Sequence, residues 1–175
     1  MSRLRIGDTL PAFTLPLPAG GEFSTATAEG RPLAVVFSCN HCPYVVAWED
    51  RINAIAHDFG GEGLTLVAIN ANDVSRYAAD APELMVERAR EKNFVFPYAY
   101  DESQDVPRRF GAERTPEVFL FDAAGKLAYH GAVDDSRDPA AVETNYLRNA
   151  VGALLAGGIP AVPETPAVGC TIKWK

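Results

Sequence analysis

Apolar and polar positions alternate near the amino end, in Ala12-Phe13-Thr14-Leu15 and again at Phe23, with Pro16, Pro18, Gly20 and Gly21 between them. This predicts an N-terminal hairpin added at an edge. Leu33 to Phe37 is apolar without interruption and follows Gly30-Arg31-Pro32, the signature of a strand buried on both faces. Val46, Trp48, Ile52, Ile55, Ala56 and Phe59 then recur at helical spacing until Gly60-Gly61. Leu64 to Ile69 reads as a second buried strand, and Pro82 to Asn93 as a helix with proline in its first turn. A short segment at Tyr98 to Tyr100 and a short helix at Asp105 to Phe110 follow. Val118 to Phe121 and Leu127 to Val133, joined by Asp122 to Gly125, predict an antiparallel hairpin, and a last helix is expected from Val142 to Leu155. The pattern is α/β, with a central mixed β-sheet flanked by helices.

Length and composition set the frame for this pattern. The chain has 175 residues, nearly half of them apolar, enough for one core and too few for two ordinary domains. One domain over residues 1–158 is expected, followed by an extended tail over 159–175 that contains Pro160, Pro163 and Pro166 and carries Cys170. A net charge of -7 with scattered Lys and Arg argues against nucleic acid as a partner. No apolar run has the length of a signal peptide or a membrane span, so a cytoplasmic protein without membrane contact is the expectation.

Three cysteines are too few for a disulfide scaffold, and two of them form the close pair of Ser38-Cys39-Asn40-His41-Cys42-Pro43. That pair falls between a buried strand and a helix. A thiolate is the reactive form of cysteine, and a helix N-terminus favours it through free N–H groups and the positive end of the dipole. Pro43 selects the sulfur that takes this seat. Were Cys39 the N-cap, Pro43 would stand where a backbone N–H is due; with Pro43 at the first helical position, Cys42 is the N-cap. Its extended conformation also suits a residue preceding proline.

A strand, a Cys-x-x-Cys, a helix and a second unit opening at Thr115-Pro116 resemble the thioredoxin superfamily, most of all its TlpA/ResA-type and AhpC/TSA branches. The resemblance runs from Ile6 to Leu155, with Val35 to Pro43 and Phe110 to Gly131 as its most specific parts. It implies a thioredoxin-like fold, redox-active Cys39 and Cys42, and a cis peptide bond at Thr115-Pro116 facing them. On the ungapped alignment Cys42-Pro43 coincides with the peroxide-attacking Cys-Pro of peroxiredoxins, and Cys39 with their Thr or Ser. A second alignment matches Cys39 and Cys42 directly to the usual redox pair, with His41 before the second cysteine as in Cys-Pro-His-Cys oxidases. The buried acid of thioredoxins is replaced on the strand by Val36 or Leu33, which leaves the usual proton acceptor missing; His41 is the substitute within reach in sequence.

Several functions follow from these residues. A thiol–disulfide oxidoreductase would cycle Cys39 and Cys42, exchanging with protein thiols and disulfides and drawing on an electron-donor thiol system. A thiol peroxidase would oxidise Cys42 and resolve it with Cys39 or Cys170. A metal module would use Cys39, His41 and Cys42, with His57 and His130 as the other imidazoles. Arg114 is a candidate to steer a peroxide or hold a thiolate, whereas Trp48 and Glu49 read as structural. Neither a cofactor nor a choice between monomer and homodimer is indicated.

Overall fold

The computed structural model describes residues 2–175; Met1, the first residue of the expected domain, lies outside them. In chain order the elements are β1 (Thr14–Pro16), β2 (Glu22–Ser24), β3 (Leu33–Ser38), α1 (Pro43–Gly60), β4 (Thr65–Asn70), α2 (Pro82–Glu91) and β5 (Tyr98–Tyr100). They continue with α3 (Asp105–Phe110), β6 (Arg114–Thr115), β7 (Glu117–Phe121), β8 (Leu127–Gly131), α4 (Tyr146–Leu155) and β9 (Cys170–Thr171).

The uninterrupted apolar run of β3 makes it the central strand, buried at every position. It pairs in parallel with β4 and antiparallel with β7, and the sheet order is β5-β4-β3-β7-β8. Alternate residues of β3 point to opposite faces. Ala34 and Val36 pack with Trp48, Ile52 and Ile55 of α1 and with Leu147 and Val151 of α4. Leu33, Val35 and Phe37 face the other way, onto Val106 and Phe110 of α3 and onto Phe13, Leu15 and Phe23 of the amino-terminal hairpin. Each fully buried large side chain contributes about 1.5–3 kcal/mol of burial. Among the described residues, no helix is long and apolar enough to cross a membrane.

Three boundaries differ from the periodicity by two residues or more, each for a local reason. The last helix begins at Tyr146 rather than Val142, because the Asp135 carboxylate accepts the amides of Glu143 and Thr144 and holds them outside the helix. β8 ends at Gly131, whose φ of 146° redirects the chain and where a side chain would collide with Thr165. α2 ends at Glu91, just before Asn93 takes a left-handed φ of 52°.

The segment after α4 lies against the body of the molecule. Thr165 bonds Tyr129 and the amide of Ala132, and β9 pairs with β6. Ile172 is buried among the residues under α3, while Trp174 lies beneath the Arg108 guanidinium at 4.5 Å.

Candidate active site

The carboxyl end of β3 delivers Cys39, and four residues later α1 begins at Pro43 with Cys42 as its N-cap. Cys42 is extended, φ -63° and ψ 125°, as a residue before proline must be, and its carbonyl accepts the first helical bond from Val46 at 2.9 Å. Thr115 comes in from the other side, and its bond to Pro116 is cis. The Cys42 thiol lies 3.4 Å from the Thr115 carbonyl, and Cys39 Sγ lies 3.7 Å from the Thr115 hydroxyl. Cys39, Cys42, Thr115 and Pro116 are therefore brought together. Both sulfurs are covered, with Cys39 2% and Cys42 1% exposed.

The two thiols are electrostatically unlike. Cys42 is pulled from 9.0 down to about 4, chiefly because the Cys39 thiol hydrogen-bonds its sulfur; burial opposes this, and Cys170 adds to it. Cys39 is pushed far up by the same bond, by burial, and by the nearby negative charge of Asp80. The bond between the two sulfurs thus favours ionisation of Cys42 and disfavours that of Cys39.

His41 gives its hydrogen bond to Asp80 and not to a sulfur. Its Nδ1 is 2.8 Å from Asp80, and its ring stacks on Tyr77. Asp80 is fully buried, and nothing in its local sequence singles it out. It supplies the carboxylate that β3 lacks, from a short turn just before α2. Asn40 N–H and Asn72 Nδ2 donate to its two oxygens at 2.8 and 2.9 Å. Tyr98 OH in turn donates to Asn40 Oδ1 at 2.9 Å, which fixes the loop between the cysteines. A signal for this cluster was present in Asn70-Ala71-Asn72-Asp73, polar residues at the carboxyl end of a buried strand, where open α/β sheets build their sites.

Arg114 is exposed and reaches toward the Gly169 carbonyl at 3.3 Å, not toward a sulfur. Trp48 donates to Asp134, and Glu49 pairs with Arg88, so both hold α1 in place. A metal would find Cys39, His41 and Asp80, whose donor atoms lie within 4.8 Å of one another, rather than Cys39, His41 and Cys42. Soft sulfur, imidazole and carboxylate would suit zinc, yet the Asp80 oxygens already serve an amide, an asparagine and His41.

Asp80 stands beside Cys39, with a carboxylate oxygen within 4.8 Å of its sulfur. Replacing Asp80 by Asn removes the acceptor with little change of shape, and the step needing the Cys39 thiolate should slow about 10²-fold. For the thiol exchange proposed below, stopped-flow kinetics should show a Cys42 mixed disulfide accumulating, with attack by Cys42 itself little altered.

Comparison with known proteins gives a consistent picture. The AhpC/TSA family model matches residues 6–130. A hypothetical protein from Sinorhizobium meliloti 1021 is 34% identical, with TM-score 0.93 over 99% of this chain and 97% of its own. A thiol:disulfide interchange protein of the thioredoxin family from Chlorobium tepidum TLS shares the fold at 19% identity, with TM-score 0.64 over 78% of this chain and 92% of its own. Peroxidoxin BcpB from Mycobacterium tuberculosis does so at 20% identity, with TM-score 0.59 over 72% and 84%. No curated protein matches. The fold is thioredoxin-like.

Proposed function

The chain belongs to the AhpC/TSA family, and from that premise we propose that it is a thiol–disulfide oxidoreductase in which Cys42 attacks and Cys39 resolves. Family and fold support a thiol redox enzyme, oxidoreductase or peroxidase-like. The observation that carries the finer reading is the seat of Cys42 as N-cap of α1, with Cys39 paired to it.

The steps follow from the two thiols. The Cys42 thiolate attacks one sulfur of a partner disulfide, the partner's S–S bond breaks, and one partner thiolate leaves. Cys39 then gives its proton to Asp80, from which His41 offers a path to solvent, and attacks the Cys42 sulfur. The second partner thiolate is released, so the partner is reduced by two electrons and Cys39–Cys42 becomes a disulfide. A donor thiol system restores the dithiol.

The Cys42-Pro43 helix start favours a second reading, a thiol peroxidase. There the Cys42 thiolate would take one oxygen of a hydroperoxide as sulfenic acid, releasing water or an alcohol, and Cys39 would condense with it, releasing water. Against this stands Cys39, which occupies the position where peroxiredoxins carry a Thr or Ser three residues before the peroxide-attacking cysteine. Mixing the reduced protein with glutathione disulfide and, separately, with hydrogen peroxide distinguishes the two. Reversible formation of the Cys39–Cys42 disulfide from glutathione disulfide, with sluggish oxidation by peroxide, is expected. Fast one-equivalent oxidation of Cys42 by peroxide, with little exchange, would transfer the assignment to a peroxidase.

A further inference from the structure

A third thiol stands in the same site, brought there by the carboxy-terminal tail. β9 runs antiparallel to β6, with Cys170 opposite Thr115 and Thr171 opposite Arg114. The approach is close because residue 169 is glycine, since a Cβ there would lie 2.1 Å from the Thr115 carbonyl oxygen. Beyond the pair, Ile172 N–H donates to the Glu113 carbonyl, and Lys173 N–H donates to Asn72, the residue that also holds Asp80. The Lys173 carbonyl accepts from Gln104 and from the amide of Asp73. These bonds fix the tail after Cys170, and those of Thr165 to Tyr129 and Ala132 fix it before. The Cys170 side chain packs against the cluster of Cys39, Cys42 and Val45.

We propose that Cys170 is a second resolving thiol, which competes with Cys39 for Cys42 and closes the tail over the site as a Cys42–Cys170 disulfide. The proposal rests on the exchange reaction given above. In the mixed disulfide between Cys42 and a partner, Cys170 loses its proton and attacks the Cys42 sulfur. The Cys42–partner bond breaks, and the partner leaves as a thiolate that takes up a proton. No further oxidant is required, because the partner disulfide has already supplied the oxidising equivalents. Tethering makes the attack intramolecular, so a modest nucleophile suffices. Burial and the bond to Cys42 push Cys170 up to about 11, with Lys173 opposing. Cys39 would remain a free thiol in this form, while the tail is held covalently.

The test uses the full-length chain with Cys39→Ser, and Cys39→Ala as a second variant in case the first misfolds. Each is reduced, mixed with glutathione disulfide, quenched with an alkylating agent and mapped by mass spectrometry without reduction. The expected product is an intrachain Cys42–Cys170 disulfide, its glutathione adduct decaying at least about 10²-fold faster than in the Cys39→Ser/Cys170→Ser double variant. Glutathione persisting on Cys42, with Cys170 alkylated, would overturn the proposal and leave the exchange reading intact. A Cys170→Ser variant that forms no Cys39–Cys42 disulfide with glutathione disulfide would overturn that reading itself.

Discussion

Replacing Cys42 by Ser should abolish disulfide turnover, with a loss on the order of 10³-fold or more, the scale on which deleting a covalent nucleophile acts. The hydroxyl fits the same N-cap position, and serine is a preferred N-cap residue, so α1 should keep or gain stability. The loss is therefore chemical. Insulin reduction driven by a dithiol reads it directly, and a Cys42→Ser protein that matched the unmodified rate would remove Cys42 from the nucleophile's role. Cys39→Ser should behave differently, since attack by Cys42 does not need Cys39 as a leaving or entering group. Its first adduct should form, and the defect should lie in the step that follows.

The reduction potential of the Cys39–Cys42 pair should lie on the order of 100 mV above the roughly −270 mV of thioredoxin. A thiol held at about 4 is almost wholly ionised at neutral pH, and that ionisation stabilises the reduced form by about three pH units' worth of free energy. Thirty millivolts correspond to about 1.4 kcal/mol for a two-electron couple, which gives the shift. Attack itself gains little. Ionisation raises the thiolate fraction about a hundredfold over an ordinary cysteine, but intrinsic nucleophilicity falls by a similar factor as the pKa drops. The benefit appears when Cys42 is the leaving sulfur. A glutathione redox titration measures the midpoint.

Stability of the reduced chain should follow the same ionisation with a definite sign. Because Cys42 is depressed on folding, its contribution is full above 9.0 and is lost as pH falls through about 4. Cys170 acts oppositely: it is raised, so its contribution is full below 9.0 and is lost as pH rises through about 11.

How much of this was legible in the sequence depended on whether a feature is local. Leu33 to Phe37 announced the central strand because burial on both faces leaves no polar position. Pro43 announced the helix start and the seat of Cys42 through its missing N–H. Thr115-Pro116 was placed opposite the cysteines by resemblance, and it lies there. Asp80 could not be read in this way. It lies forty residues beyond Asn40 on a turn without periodicity, and only the parallel pairing of β3 with β4 brings the two together. His41 stands next to Cys42 in sequence, yet its ring serves Asp80 and Tyr77. The tail was the hardest part to read, because its prolines suggest a spacer, and its docking depends on one close approach at Gly169 and on scattered bonds to Asn72, Gln104 and Glu113.

A thiolate titration of the reduced protein by ultraviolet absorbance tests the central claim most directly, because it needs no reagent to reach the covered sulfur. One of the three thiols should remain ionised from neutrality down to a midpoint near pH 4, and that absorbance should vanish in Cys42→Ser. Three thiols that all titrate near or above 9.0 would contradict the account, as would a low-pH thiolate that survives the loss of Cys42.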